Sequence, residues 1–285
     1  YLPSSGGLGY HLTLRTDGKV DVRVVNSVIR CQYKSGNSWY DYGYCSNSYN
    51  TPCSQNSNCS GGASCILSSH TIGTASGSQG SVTTKTLPAN GIIFASDSLW
   101  VDGQVNNARV TIVAAEDQLA TGNSDIYITN DLKYTHFDGT DAIGLIAQNN
   151  ILVGYFSENN LEIDGALIAQ KGRISRPYYG SAFSSSTQSN QFRVYPTGSS
   201  MPNQSGESSC YQYRSRSSLT STGSLATYAR YGFAWVGNLY NCGGGVTNDS
   251  GYCDRNLNFD SNLTFGPPPY FPTSGEYTVV SYNQL

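Results

Sequence analysis

Residues 91–115 read GIIFASDSLWVDGQVNNARVTIVAA. A short apolar strand ends in Ala95, the two-residue corner Asp97-Ser98 follows, and a second strand begins at Leu99. The same order returns at 144–148, followed by Asn149-Asn150, and at 167–170, followed by Lys171-Gly172; residues 110–115 repeat its first strand. A second element, apolar-x-apolar-x-Gly/Asn-x-apolar, recurs at 99–105, 126–132 and 161–167, with a fainter copy at 219–225. Short strands with tight polar corners, recurring every ~25–35 residues, are the mark of a parallel β-helix that tolerates insertions on one side. The expected fold class is all-β: a right-handed parallel β-helix (solenoid) with an N-terminal β-hairpin and disulfide-stapled loop insertions, a β-sandwich being the alternative. Ile93, Ile112, Leu145 and Leu167 are its expected inward positions.

On the N-terminal side, Leu12 and Leu14 alternate with polar residues, as do Val20, Val22 and Val24, and Asp17-Gly18 lies between them. Two alternating runs around Asp-Gly predict a hairpin over 10–26. Residues 44–65 hold almost no aliphatic side chains, so cross-links must order them as a stapled surface loop. One strand is predicted near 81–87. On the C-terminal side, the Ser/Gln/Tyr-rich residues 177–218 read as an exposed excursion, 219–236 as returning strands, and 238–253 as a cysteine-bearing insertion. The run Gly266-Pro-Pro-Pro-Tyr-Phe-Pro272 cannot enter a central sheet and is expected to seal the last coil, with a final strand over 276–282. Two units result: 1–90, hairpin and cysteine-rich region, and 91–285, solenoid body with its excursions and Pro-rich cap.

Charged residues are 12% of the 285, and polarity comes from Ser, Thr, Asn, Gln and 31 Gly, a mix that suits strands and turns over helices. With a net charge of −3 and no basic block, nucleic acid has no electrostatic footprint here. No apolar run approaches the ~18 residues of a membrane helix. No signal peptide precedes Tyr1, so the chain reads as a mature or trimmed form.

The eight cysteines form two groups, Cys31, Cys45, Cys53, Cys59 and Cys65, then Cys210, Cys242 and Cys253. No C-x₂₋₄-C pair occurs, which argues against zinc and for disulfides made in an oxidising compartment. Five and three are odd numbers, so if all eight pair, an odd number of bridges joins the groups.

Carboxylates dot the body, and β-helical carbohydrate-active enzymes use such groups as acid/base pairs. Asp102-Gly103 and Asp164-Gly165, however, occupy the same slot of the repeat and read as turns. Arg109, Arg173 and Arg176 are the nearby bases, with nothing in the sequence to place them beside an acid. His136, Asp138 and Asp141 are the residues to consider for a metal, but they fall short of an EF-hand. No catalytic, cofactor-binding or metal-ligating set is therefore assigned, and no cofactor is expected. Tyrosine gives the remaining signal: Tyr40, Tyr42, Tyr44 and Tyr49 crowd the first cysteine group, and Tyr178, Tyr179, Tyr211 and Tyr213 flank the excursion. Large rings with polar tips suit a contact surface.

The stretches of 91–115, DIYITNDLKY (125–134), DAIGLIAQNNILV (141–153), NLEIDGALIAQKGRISRPYYG (160–180), ARYGFAW (229–235) and RNLNFDSNLTFGPPPYFPTSGEY (255–277) resemble uncharacterised bacterial surface proteins related to PilX-type minor pilins. That resemblance implies a cell-surface location, a pilus-type export route and a β-helical ectodomain, without catalytic residues. The expected function is that of an extracellular structural or adhesive surface protein, a pilus- or filament-associated subunit. Its expected partners are further copies, other filament subunits or a glycan. A β-helical polysaccharide lyase or hydrolase is the alternative. The 10–26 hairpin is the expected joining face.

Overall fold

A computed structural model of the protein describes residues 1–35, 38–41, 43–45, 48–53, 56–67, 71–73, 76–116, 122–178, 192–196, 213–243 and 245–273. Strands β1 (Gly9–Leu14) and β2 (Lys19–Val25) form the predicted hairpin, with Gly18 at φ +72° in its turn. β3 (Val28–Ser35) pairs antiparallel with β4 (Ser38–Asp41). β5 (Gly43–Cys45), β6 (Ser48–Cys53) and β7 (Cys65–Leu67) make a small sheet of their own. β8 (Thr71–Ile72) returns to β3, and β9 (Thr83–Thr86) lies on β2. The body follows as β10 (Ile92–Ala95), β11 (Leu99–Gln104), β12 (Arg109–Ala114), β13 (Ile126–Lys133), β14 (Ala142–Ala147), β15 (Ile151–Val153), β16 (Asn160–Ala169) and β17 (Ile174–Ser175). β18 (Phe192–Pro196), from the predicted excursion, pairs back onto β3. β19 (Ser215–Thr227), β20 (Ala234–Gly243), β21 (Val246–Phe259) and a single helical turn, α1 (Asn262–Phe265), complete the described chain.

The protein is all-β, and fourteen strands share one large mixed sheet. Its backbone is a set of three parallel ladders. The first aligns Ile93, Ile112, Leu145, Leu167 and Leu225, with Ala95, Ala114, Ala147 and Ala169 two places on. Ile93, Ile112, Leu145 and Leu167 are buried as expected. The second aligns Tyr10, Leu99, Ile126, Ile151 and Ile174. The third aligns Leu14, Gly103, Leu132, Ile163, Ser221 and Leu257. One buried cluster runs through all three and takes in Leu12, Leu14, Val20 and Val22 of the hairpin, so the hairpin and the body share a core. Each such aliphatic side chain contributes ~1.5–3 kcal/mol on burial. Outward residues of the second ladder, Trp100, Tyr127 and Leu152, are covered by Val28 and Ile72.

The predicted corners stack as well. Ser98 Oγ accepts from the Asp125 amide (3.1 Å), Asp125 Oδ1 from the Asn150 amide (2.8 Å), and Asn150 Oδ1 from the Arg173 amide (2.9 Å). Short polar side chains are needed here because each must satisfy a backbone N–H on the next strand of the stack.

Several expectations are corrected. Asp102-Gly103 and Asp164-Gly165 are not turns; they lie within β11 and β16 and out of register with each other, since Gly103 pairs with Leu132 and Leu132 with Ile163, two residues before Gly165. Gly103, at φ +107°, has Leu14 O only 2.2 Å from where a Cβ would stand, so glycine is kept for close approach of neighbouring strands. Residues 44–65, read as a loop, contain strands and the bridges Cys45–Cys59 and Cys53–Cys65; Cys242–Cys253 staples β20 to β21. These three bridges lie within the groups and leave Cys31 and Cys210, one from each, with Cys210 outside the described residues. The proline run does not seal an end. It crosses the outer face of β10, β12 and β14, where Arg109 donates to Gly266 O (2.6 Å) and Pro267 O (2.7 Å), Thr111 donates to Pro269 O, and Phe271 and Pro268 stand over Gly144. The strand expected over 276–282 lies outside the described residues.

Candidate functional site

Among the described residues, two of the grooves gather charged side chains. The first, about 630 Å³, lies beside the hairpin and presents Arg15, Asp17, Asp102, Asp131, Lys133 and Glu158. Four carboxylates in one groove are what an acid/base enzyme needs, but three of them are engaged. Asp17 meets Arg15 at 3.1 Å and Lys19 at 3.3 Å, and the Arg15 hydrogen bond holds it below the usual carboxylate range. Asp131 meets Lys133 at 2.9 Å and accepts from the Glu162 amide. Asp102 lies 2.9 Å from His11 Nε2 and accepts from Thr129 Oγ1 at 2.7 Å. Burial pushes the Asp102 carboxyl up, but His11 and Thr129 outweigh it and leave the pKa lowered. The other ring nitrogen, His11 Nδ1, is 2.9 Å from Gln79 Oε1. Neither Asp17 nor Asp102 is set to carry a proton near neutrality.

The carboxyl that is so set lies elsewhere. Asp164 is fully buried in β16, and burial raises it to about 7. Its Oδ2 accepts from the Tyr134 amide, and its Oδ1 has no hydrogen-bond partner. A group without solvent access cannot reach a polymeric substrate.

The second groove, about 570 Å³, lies where β17, β20 and β21 meet. Arg173, Arg230 and Arg255 line it with Tyr231, Trp235 and Leu257, and among the described residues no carboxylate does. Each element fixes one part. The corner ladder holds the Arg173 backbone, and a backbone bridge from Ser175 to Gly232 sets the level of Tyr231. Arg255 Nη1 donates to Tyr252 O (2.7 Å) and Cys253 O (3.3 Å), which orients its guanidinium. Trp235 is held from behind: Nε1 donates to Arg176 O (3.1 Å), and Tyr178 meets its ring edge-on at 5.5 Å. Tyr231 is 48% exposed at the rim.

Behind Trp235 three further arginines are buried, Arg176, Arg214 and Arg216. Arg176 donates to the carbonyls of Arg214 (2.8 Å) and Tyr155 (3.1 Å) and lies 5.6 Å from the Tyr252 ring centroid. Arg216 sits 4.3 Å over Tyr213. Ring faces and carbonyls offset the desolvation of these cations. Burial and then Arg176 lower the Arg216 pKa.

The residues singled out in the sequence are placed as follows. Tyr178 is buried and Tyr213 half-buried, so neither offers the free contact surface expected of it; both pack against neighbouring rings. The side chains of Tyr40, Tyr42, Tyr44, Tyr49, Tyr179 and Tyr211 lie outside the described residues. Asp141 accepts from the amides of Ala108, Thr135 and His136, while Asp138 caps Thr140 and His136 Nε2 meets Asn106. Structural hydrogen bonds thus occupy that trio separately. Of the three bases, Arg109 holds the proline run, Arg176 is buried and Arg173 lines the second groove. Arg230 and Arg255 were missed in the sequence; proximity of their aromatic neighbours, Tyr231 and Tyr252, was the available signal.

Among the described residues no helix is long and apolar enough to cross a membrane. Comparison with known proteins finds no matching family, curated protein or solved structure.

Proposed function

We propose that this chain is an extracellular structural or adhesive surface protein, and not an enzyme, with a parallel β-helix as its body. The observation that carries the reading is the state of the acid-lined groove: Asp17 and Asp131 are engaged by cations and Asp102 by His11 and Thr129, so Glu158, the fourth carboxylate lining it, has no free carboxylate beside it to complete an acid/base pair. The β-helix reading is supported by three parallel ladders around one core. Three disulfides support an oxidising, extracellular setting.

Filament association is supported by the C-terminal end. Residues 254–259 of β21 are exposed, with Phe259 at 68% and Leu257 at 41%, and β20 covers only the earlier part of that strand. Among the described residues no further strand pairs with 254–259 beyond β19, and an unpaired edge with apolar side chains invites pairing. The hairpin end, expected as the joining face, is blunted instead: Leu2 pairs with the edge of β10, and β9 ends the sheet in exposed Thr and Lys.

Incubation with a panel of polysaccharides, followed by reducing-end analysis, is expected to show no cleavage, while light scattering and electron microscopy show self-association. The enzyme alternative is favoured by one observation, the His11–Asp102 pair at the groove wall. Turnover abolished by Asp102→Asn would decide for it.

A further inference from the structure

We infer that the proline strap over 266–271 and the trough beneath it form an exchangeable contact, in which the strap of one copy seats in the trough of another. This rests on the filament-association reading and names the contact that makes it.

Three prolines leave the strap without the N–H groups a ladder needs, so side chains of the body hold it by its carbonyls. Arg109 donates to Gly266 O (2.6 Å) and Pro267 O (2.7 Å), and Thr111, itself buried, donates to Pro269 O. The trough fits the strap in shape as well. A Cβ at Gly144 would stand 2.8 Å from Phe271 Cδ2 and 3.0 Å from Pro268 Cβ. One at Gly91 would stand 2.6 Å from Pro269 Cγ. Gly144 lies inside β14, where a glycine weakens the strand, so the rings that cover it explain its place there. Donors and gaps together recognise a run of prolines followed by an aromatic ring. Such a run is preformed and loses little entropy on docking.

The strap is also strained. Tyr270 has φ +56°, in a turn closed by the Phe271 amide on Pro268 O (3.0 Å), and it is 72% exposed. That position of the turn favours glycine, and a bulky residue stays there only when its surroundings hold it. Pro269 and Phe271, seated over Gly91 and Gly144, hold it on either side. The strain weakens the seating of the strap and leaves the core untouched, so the strap lifts more readily than any ladder opens. Its root stays in place. Asp260 is buried with its amide on Gly223 O (3.3 Å), and Asn262 Nδ2 donates to Phe137 O (3.0 Å). The strap therefore swings about α1 while β21 keeps its position.

The contacts described lie between strap and trough, so the strap of a second copy makes the same set. Each copy brings one strap and one trough, which is the condition for exchange between identical chains. Exchange passed from copy to copy grows, and exchange closed between two copies stops at a dimer.

Two full-length variants test this, Thr111→Cys in the trough and Pro269→Cys on the strap. Neither can link its own trough to its own strap. Mixed and mildly oxidised, they are expected to give a 111–269 disulfide between copies, read by mass spectrometry of the linked peptides. Its yield should be at least tenfold above that from Val82→Cys mixed with Pro269→Cys, Val82 being exposed. Adding Phe271→Ala to the strap variant removes the ring over Gly144 and should lower the yield several-fold. Adding Tyr270→Gly to the trough variant relieves the strain in its own strap, which then stays seated, and should also lower the yield several-fold. Linking no better than the control pair, or unaffected by either change, overturns the exchange. Self-association of the parent in light scattering, without such linking, leaves the filament reading standing alone. Linking in a parent that stops at dimers keeps the exchange and overturns filament growth.

Discussion

The body over 91–176 and the stapled segment over 43–67 are both β-structure, held by opposite means. The body has no cysteine and a core of fully buried aliphatics such as Ile112, Ile126 and Leu145. The stapled segment has hardly any aliphatics, and its three short strands close around two bridges spanning 14 and 12 residues. Where the sequence can bury apolar area, parallel ladders form. Where it cannot, covalent bonds reduce the entropy of the unfolded chain instead. The body should therefore fail through packing and the segment through redox chemistry.

The largest expected effect comes from close approach in the ladders. Gly223 has Gly165 O 1.8 Å from the position of a Cβ and adopts φ +156°. Gly223→Ala should destabilise by at least ~3 kcal/mol or prevent folding, read as loss of the cooperative thermal transition. Gly62→Ala in the stapled segment meets no atom within 4 Å, though φ is +72°, and should cost about 1 kcal/mol. Comparable losses at the two sites would break the contrast.

Arg109→Ala comes next. It strands the Gly266 and Pro267 carbonyls and should cost about 2 kcal/mol. Limited proteolysis is expected to cut near 266–272 in the variant and not in the parent.

Asp164 sharpens the account of the core. Its carboxyl titrates near 7 in the fold, against 3.8 as the ordinary value. The folded state therefore keeps a proton that the unfolded chain has released, and stability falls as pH rises from about 4 to about 7. Asp164→Asn keeps the shape of the protonated form. Above pH 7 it should be more stable than the parent, on the order of 2 kcal/mol, and the two should converge below pH 4. Thermal melts across pH check this; a constant difference would count against it.

The smallest effect on the body should come from reduction. Dithiothreitol is expected to expose 43–67 to protease while moving the main thermal transition by only a few degrees. Before reduction, peptide mapping should find Cys31 joined to Cys210, the pair that parity and the three other bridges leave.

Much of the body was legible because parallel stacking imposes local rules. Inward positions must be apolar at every level, and corners must be short and polar. Ile93, Ile112, Leu145 and Leu167, with the alanines two places on, follow that rule and fall into one register. The Asp-Gly pairs misled because Asp-Gly is also turn chemistry; only the approach of a neighbouring backbone separates the two uses. Tyr178 misled because a tyrosine in a polar segment carries no local mark of the Trp235 ring that covers it.

By itself the sequence determined the strand periodicity, the hairpin around Gly18, the polar corners and the oxidised cysteines, since each is written in residues close along the chain. Tertiary structure alone decided which charges meet. His11 reaches Asp102 across 91 residues, and Arg109 reaches Pro267 across 158. Arg173, Arg230 and Arg255 share a groove although 82 positions separate the first from the last (255 − 173). Charge pairing depends on distance in space, and successive strands of a stack bring together residues whose separation along the chain depends on the loops between them.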